Sequence, residues 1–348
     1  MKNALIITPD MDLNGAQTVL SEMLEILSAE YKISIISPAT GDYESIYTGR
    51  GYDIEIRPSV VGDAAFRRRV QNDYDLIWLN SSSVVPYVYF FINTSANVIW
   101  WLHETGQQLR VENNMLNPWL LSENIRIFGV SEAVRTGIND LFGYSIGILP
   151  IPVAEVSSEY AKPGTDIPDD KTVFFIPAAY SHIKGQDILL NSIISLPREM
   201  QEKSEFIFCG YSLPGQEDYY NSIRGIIEKL PNARDLGRLS RDEVYGWYER
   251  SDCVIAPSRV DSNPASIIEG MMFKKHVIAS ADTGVSHYMS DCENGFVFKN
   301  EDELIKRIML VISDRASLTA ICEAGYQLYK SRFSHEAIRQ DLKEIGLI

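Results

Sequence analysis

The chain has 348 residues, which exceeds the length of most single hydrophobic cores and predicts two domains. Its formal net charge of -15, from 47 acidic and 32 basic residues, argues against general nucleic-acid binding, which needs a basic surface. The four cysteines are far apart without metal-binding spacing, so we expect reduced thiols and a cytoplasmic protein. The N-terminal apolar run is too short for a signal peptide, and the most apolar stretch, residues 84–92, is half a membrane span.

Short apolar runs alternate with helical or polar segments through the first half of the chain. We predict strands at residues 4–7, 33–36, 74–79, 98–102, 125–130 and 146–149, and helices at residues 15–27 and 131–142. Such alternation predicts a parallel, doubly wound sheet. The sequence has no G-x-G-x-x-G fingerprint, so we expect no dinucleotide cofactor.

A second domain follows a break in this periodicity. The polar run of residues 157–171 contains Pro163, Gly164 and Pro168, and it predicts a linker. Further strands are predicted at residues 172–176, 205–209, 233–236, 253–256 and 276–280, and an amphipathic helix at residues 334–345. We therefore divide the chain into a first domain (residues 1–152), a linker (153–171), a second domain (172–333) and a terminal helix (334–348).

A polar loop joins the strand predicted at residues 253–256 to a helical segment at 267–273. The N-terminus of a helix offers free N–H groups and suits a phosphate. Asp261 and Glu269 stand eight positions apart in this region. Carboxylates repel a phosphate but accept hydrogen bonds from sugar hydroxyls on either side of it, so the pattern indicates a nucleotide sugar.

Residues 257–269 resemble the acidic-x7-acidic signature of the retaining glycosyltransferases of family 4, with Asp261 where glutamate is usual. Residues 277–280, 283–285 and 293–298 resemble the segments that follow the signature. The resemblance implies the GT-B fold, an α/β architecture of two Rossmann-like domains facing across a cleft, with the terminal helix returning to the first domain. It also implies a hexosyltransferase that retains the anomeric configuration and uses a nucleoside diphosphate sugar, without a metal ion or another cofactor.

The same resemblance assigns roles to individual residues. Asp261 and His103 are expected beside the transferred sugar. Lys184 of the Lys184-Gly185 pair is expected to bind the donor pyrophosphate, and Glu269 the ribose. The resemblance also implies donor contacts for Gly15 in the first loop and Leu239 near the base. The N–H groups of Asn263, Ala265 and Ser266 at the helix entry are further expected donor-binding groups, because the helix N-terminus suits a phosphate.

Three departures from the family pattern keep a second hypothesis open. Ala179 stands where arginine is usual, Asp261 replaces glutamate, and Pro264 removes a backbone N–H. Arg259 is a candidate for the missing charge. The alternative is a catalytically silent GT-B subunit that binds glycan or stabilises a partner transferase; a nucleotide-sugar epimerase has no motif to support it.

Two D-x-D triplets and one basic cluster have ordinary explanations. The D-x-D triplets at residues 10–12 and 73–75 resemble the metal site of the other glycosyltransferase fold, but they lack its context and we interpret them as solvated loop acids. Arg67, Arg68 and Arg69 form the densest basic cluster. A solvated helix face is its ordinary explanation, and weak peripheral contact with anionic lipid at the inner face of the membrane is the alternative. The resemblance suggests a glycan or lipid-linked acceptor in envelope or capsular glycan synthesis.

Overall fold

The computed structural model describes residues 1–12, 14–58, 64–88, 90–91, 94–106, 109, 124–143, 145–156, 160, 163–164 and 167–348, with positions 64 and 71 described in their backbone only. These residues form two compact units. Unit 1 comprises Met1–Ala154 and Phe333–Ile348, and unit 2 comprises Glu155–Arg332. The predicted linker includes residues 157–159, 161–162 and 165–166, which lie outside the described residues, as does Leu13 of the first loop.

Unit 1 is built on a seven-stranded sheet in which every described pairing is parallel. The strands are β1 (Lys2–Ile7), β2 (Tyr31–Ser37), β3 (Asp53–Ile56), β4 (Leu76–Asn80), β5 (Asn97–Leu102), β6 (Ile125–Gly129) and β7 (Gly147–Ile148). Their order is β3-β2-β1-β4-β5-β6-β7. The sequence did not predict β3, because its four residues are half-buried or exposed at the sheet edge and form no apolar run.

The first five helices of unit 1 lie between these strands in the sequence. They are α1 (Gly15–Leu27), α2 (Tyr43–Gly49), α3 (Ala64–Asn72), α4 (Val85–Val88) and α5 (Glu132–Phe142). Helix α1 begins where the Asn14 side chain accepts a hydrogen bond from the Gln17 N–H, at 2.9 Å. The C-terminal helix α13 (His335–Glu344) also belongs to unit 1, where Ile338 and Leu342 are fully buried.

Unit 2 contains a six-stranded sheet, also parallel throughout its described pairings. Its strands are β8 (Thr172–Pro177), β9 (Ser204–Cys209), β10 (Ala233–Asp235), β11 (Cys253–Ala256), β12 (His276–Ser280) and β13 (Phe296–Phe298), in the order β10-β9-β8-β11-β12-β13. Its helices are α6 (Gln186–Ser195), α7 (Arg198–Glu202), α8 (Glu217–Ile227), α9 (Arg241–Arg250), α10 (Ala265–Met272), α11 (Glu301–Asp314) and α12 (Thr319–Arg332).

In each unit the strand order reverses direction once, between the first and the fourth strand. The reversal lies between β1 and β4 in unit 1 and between β8 and β11 in unit 2. Open parallel sheets bind ligands at the carboxyl ends of strands beside such a reversal, so the fold marks one candidate edge in each unit. None of the described helices combines the length and apolar character that crossing a membrane requires.

Candidate functional site

The site in unit 2 begins with two loops that leave β8 and β11 at the strand-order reversal. The first loop carries Lys184 and the second carries Asp261. Gly185 allows the loops to touch: its φ is +69°, and an added Cβ would lie 2.2 Å from the Pro257 carbonyl oxygen. The Arg259 N–H donates to the Ile183 carbonyl at 2.8 Å and joins the loops a second time. Glycine at this position is therefore required by the approach of the two backbones.

Lys184 and Asp261 form an ion pair across this contact. The Lys184 Nζ donates to Asp261 Oδ2 at 2.6 Å, and only 8% of the Asp261 side chain is exposed. Asp261 Oδ1 accepts from the Asn263 N–H at 3.2 Å. One cation and one carboxylate, both expected at the donor from the sequence, thus lie together at the reversal.

Helix α10 begins directly after this pair. Ala265 and Ser266 occupy its first turn, so their N–H groups have no acceptor inside the helix and can bind an anion. Asn263 differs from the expectation, because its N–H already donates to Asp261. Pro264 precedes the helix and contributes no N–H.

Glu269 lies in the second turn of α10, with 5% of its side chain exposed. Its Oε1 accepts from Arg241 Nη2, at the first position of α9. The Tyr248 hydroxyl donates to the Ser266 carbonyl at 3.2 Å, and burial together with the nearby Glu269 charge raises the pKa of Tyr248 well above its ordinary value. The sequence analysis missed Arg241. Only the general rule that a buried carboxylate needs a cation would have prompted a search for it.

The loop after β10 lies at the same edge of the sheet. Gly237 has a φ of +66°, and its N–H donates to Asp235 Oδ1 at 3.0 Å. The Gly237 carbonyl accepts from the Gly210 N–H at 2.9 Å, which fixes the turn that presents the half-buried Leu239. Arg238 lies over the ring of Tyr211, 5.2 Å from its centroid.

Arg259 does not provide an unpaired charge for the donor. Its guanidinium donates to both carboxylate oxygens of Asp187, at 2.8 and 2.6 Å, and to the His182 carbonyl at 2.8 Å. Burial raises the pKa of Asp187, but hydrogen bonds from Arg259 and Tyr219 outweigh burial and lower it to about 2. The pair is therefore charged at neutral pH, and Arg259 is committed to the start of α6.

In unit 1, His103 follows β5 and is held by its neighbours. Its Nε2 lies 2.9 Å from Asn80 Oδ1, and its ring meets the Trp101 ring edge-on at 4.4 Å between centroids. Burial lowers the pKa of His103 to about 3. The imidazole is therefore neutral at physiological pH, and with Nε2–H donating to Asn80 its Nδ1 is an acceptor.

Glu104 supports the loops around His103. Its carboxylate accepts from the Ser81 hydroxyl and from the N–H groups of Ser82 and His103. Ser81 has a φ of 83°, which a residue with a Cβ seldom adopts. These bonds hold a strained turn at the end of β4, beside the strand-order reversal of unit 1.

Gly15, at the start of α1, has open space around it. An added Cβ would have no described atom within 4 Å, so contacts within the described chain do not explain a glycine there. In the preceding loop, Asp10 Oδ1 accepts from the Asp12 N–H and from Asn14 Nδ2, at 3.1 and 2.9 Å. Asp10 is thus a half-exposed loop acid whose carboxylate also organises the loop. Among the described residues, no group of three metal-ligating side chains is arranged to hold a metal ion.

The arginines of α3 differ from one another. Arg69 Nη2 donates to Glu55 Oε2 at 2.5 Å, and its guanidinium lies 5.5 Å from the centroid of the buried Phe66 ring. Burial raises the pKa of Glu55, but hydrogen bonds from Arg69 and Arg57 lower it overall. Arg69 is thus held within unit 1.

Comparisons with known proteins find similarity to glycosyltransferases. Residues 158–328 match the family model described as glycosyl transferases group 1. An uncharacterized glycosyltransferase of Methanocaldococcus jannaschii is 26% identical over 166 residues, covering 47% of this chain and 44% of that protein. The lipopolysaccharide 1,2-N-acetylglucosaminetransferase of Salmonella typhimurium is 25% identical over 193 residues, covering 51% of this chain and 49% of that protein. The chain thus spans about half the length of the curated relatives that it matches.

The whole fold is also similar to that of solved structures. HepE of Anabaena, crystallised with UDP and glucose, superposes with a TM-score of 0.81 at 19% identity over 99% of both chains. Together with the two parallel, Rossmann-like sheets, this similarity confirms the expected GT-B fold. The chain therefore has the GT-B fold, and its residues 158–328 match the model of the glycosyl transferases group 1.

Proposed function

We propose that the protein is a retaining glycosyltransferase that moves a hexose from a nucleoside diphosphate sugar to a hydroxyl acceptor. The observation that carries the proposal is the placement of Lys184, Asp261 and the start of α10 at the strand-order reversal of unit 2. A cation and free N–H groups favour a diphosphate there. The family match of residues 158–328 supports the same reaction class.

The chemistry assigned to unit 2 is stabilisation of the leaving diphosphate. Negative charge develops on the diphosphate as its bond to the sugar weakens, and fixed positive groups lower the energy of that state. The Lys184 ammonium and the N–H groups of Ala265 and Ser266 supply them, helped by the positive end of α10. Asp261 is proposed to accept from a sugar hydroxyl and Glu269 from the ribose. Leu239 would lie beside the base.

The roles proposed in unit 1 concern hydroxyl groups. A neutral His103 can accept a hydrogen bond through Nδ1 without adding charge. The open space at Gly15 allows a ligand to approach the backbone at the start of α1. These features support a hydroxyl-bearing ligand at the carboxyl edge of the unit 1 sheet.

UDP-sugars are the donors to test first, because HepE has been crystallised with UDP-glucose. The named activity of the Salmonella relative favours a glycan or lipid-linked acceptor in envelope synthesis. Such a reaction suits a cytoplasmic enzyme at the inner face of the membrane. The proposed lipid contact involves Arg67, Arg68 and Arg69, and its test leaves Arg69 unchanged because that side chain also pairs with Glu55 within unit 1. An Arg67/Arg68 alanine variant should show less co-sedimentation with anionic liposomes than the parent.

The deciding experiment screens donor hydrolysis and transfer over common nucleotide sugars, with and without EDTA. We expect turnover of at least one donor, unchanged by EDTA, with retention visible in the anomeric signal of the product by NMR. Lys184→Ala should abolish transfer and weaken diphosphate binding roughly 10- to 100-fold, the value of one hydrogen bond to a charged group. Lys203→Ala is the matched control, because that lysine pairs with Glu199 on the surface.

The second candidate is a catalytically silent subunit that binds glycan or stabilises a partner transferase. Two observations favour it: Arg259 is committed to Asp187 instead of replacing the charge absent at Ala179, and the Asn263 N–H is already bonded. Under this hypothesis the parent binds a nucleoside diphosphate or a glycan without turnover of any donor. A Lys184→Ala variant that binds diphosphate as the parent does would also favour it.

A further inference from the structure

Arg241 links two segments of the donor site that are distant in the sequence. It is the first residue of α9, directly after the loop of Gly237 and Leu239. Its Nη2 reaches Glu269 in α10, and its Nε donates to the Tyr245 hydroxyl at 2.9 Å. The guanidinium also lies over the Tyr245 ring, 4.6 Å from the centroid.

The two members of the Arg241–Glu269 pair differ in exposure. The Arg241 side chain is 44% exposed, whereas that of Glu269 is 5% exposed. A buried carboxylate without a cation is strongly disfavoured, and Arg241 supplies the cation that pairs with Glu269 in an apolar helix. Ion pairs between two exposed side chains contribute little to stability, but in this pair the Glu269 carboxylate is buried.

The geometry leaves the carboxylate able to bind more than Arg241. A carboxylate has about four acceptor positions. In the described chain, Arg241 donates to this carboxylate, whereas the nearby Tyr248 hydroxyl donates to the Ser266 carbonyl at 3.2 Å, so acceptor capacity remains for two hydroxyl groups. Adjacent hydroxyls on one ring are what a ribose presents.

We propose that Arg241 is a positioning residue that holds the Glu269 carboxylate in the orientation needed to bind the ribose hydroxyls of the donor. The inference rests on the proposed function. It assigns Arg241 no contact with the reacting atoms. Tyr245 fixes the guanidinium, the guanidinium fixes the carboxylate, and the carboxylate distinguishes ribose from deoxyribose.

The test compares affinities for ribonucleotides and 2′-deoxyribonucleotides by calorimetry. UDP and 2′-deoxy-UDP are the first pair, followed by the GDP and ADP pairs. We expect the parent to prefer the ribonucleotide by about tenfold, the equivalent of one hydrogen bond to a charged group. In Arg241→Gln this ratio should fall towards one, with the affinity for the deoxyribonucleotide changed by less than about twofold.

Control variants separate positioning from a general structural role. Arg250→Gln, at the other end of the same helix, should keep the parent ratio, because Arg250 donates to the Ile167 carbonyl instead. Glu269→Gln should lose the preference for the ribonucleotide. Adding Arg241→Gln to that variant should change the preference no further, since the effects of two substitutions that act through one contact are not additive. Arg241→Lys keeps the charge but not the planar fork, so an intermediate ratio is expected.

Three results would overturn the inference. One is an Arg241→Gln variant that keeps the ratio, and another is one that weakens both nucleotides equally. The third result applies if Arg241→Gln does not fold, as judged by its melting curve. In that case a parental ratio of ribonucleotide to deoxyribonucleotide affinity in Arg241→Lys would overturn the inference. A parent that binds no nucleoside diphosphate would refute the proposed function and this inference with it.

Discussion

The two acidic residues of the signature differ in the cations that neutralise them. Lys184 pairs with Asp261 across two loops, whereas Arg241 pairs with Glu269 across two helices. Both carboxylates are almost fully buried, so each depends on its cation. The charges expected at the donor are thus arranged as two pairs, and a ligand must share or displace the cation of the first pair.

Asp261→Asn should lower turnover without weakening diphosphate binding. The substitution removes the charge that holds the Lys184 ammonium, which is then free for the diphosphate. The expected result is a lower kcat with the diphosphate Kd unchanged or smaller, from steady-state kinetics and calorimetry. Weaker diphosphate binding at parental turnover would contradict the assignment of Asp261 to the sugar.

His103 should make unit 1 less stable in acid. The pKa of His103 is lowered by burial to about 3, below the value of about 6.5 in an unfolded chain. Between these values the unfolded state binds the proton and the folded state does not, so stability is lost as the pH falls from about 6.5 towards 3. From pH 7 to pH 5 the loss amounts to at most about 2 kcal/mol.

Urea denaturation of the parent and of His103→Gln at the two pH values measures this contribution. The variant should lose less stability in acid than the parent, and its turnover at neutral pH should be lower. A variant with the same acid loss and the same turnover would return His103 to an ordinary structural role.

At the scale of elements, the sequence predicted most of the described strands, because buried parallel strands are continuous apolar runs. Among the helices it predicted the ranges of α1, α5, α10 and α13. Strand β13 was not predicted: Phe296–Phe298 is three residues long and too short for a periodicity. Contacts between elements were also beyond prediction. The spacing along the chain does not show that Arg241 meets Glu269 or that Arg259 meets Asp187, because these pairs depend on how helices and loops pack.

Gly185→Ala tests the contact between the loops after β8 and β11. The new Cβ would lie 2.2 Å from the Pro257 carbonyl oxygen, at a φ of +69°. Gly215→Ala is the matched control, since Gly215 has a φ of +75° with no atom within 4 Å. Both variants should lose about 1–2 kcal/mol through the backbone conformation.

Gly185→Ala should lose more stability than the roughly 1–2 kcal/mol expected from the backbone conformation, whereas Gly215→Ala should not. Only Gly185→Ala should weaken diphosphate binding, because the loop carrying Lys184 must move. Chemical denaturation and calorimetry provide the two measurements. Equal stability losses in the two variants, with diphosphate binding intact in both, would show that the close approach of these loops is dispensable.

At the scale of the whole molecule, the end of the chain completes unit 1. The segment Phe333–Ile348 belongs to that unit, and its Phe333, Ile338, Leu342 and Leu347 are buried. His335 Nε2 lies 2.7 Å from Glu22 Oε2 on α1, and the Tyr31 hydroxyl donates to the Leu347 carbonyl at 2.5 Å. Unit 1 therefore cannot finish folding until the last residues are present, although the sequence of unit 2 separates its two segments.

Deletion of residues 333–348 should unfold unit 1 and leave unit 2 folded. Burial of four large apolar side chains contributes roughly 6–12 kcal/mol as an upper estimate. That range is comparable to the whole stability of a typical domain, about 5–15 kcal/mol. Lys184 and α10, to which we assign diphosphate binding, both lie in unit 2. The Kd of the truncated chain for a nucleoside diphosphate should therefore stay within about threefold of the parent value, equivalent to about 0.6 kcal/mol. The truncated chain should transfer no sugar. Limited proteolysis should digest residues 1–154 and spare residues 167–332, whereas removal of Ile348 alone should change neither property. A truncated chain in which both units resist proteolysis, or in which diphosphate binding is lost while unit 2 stays protected, would contradict this division of roles.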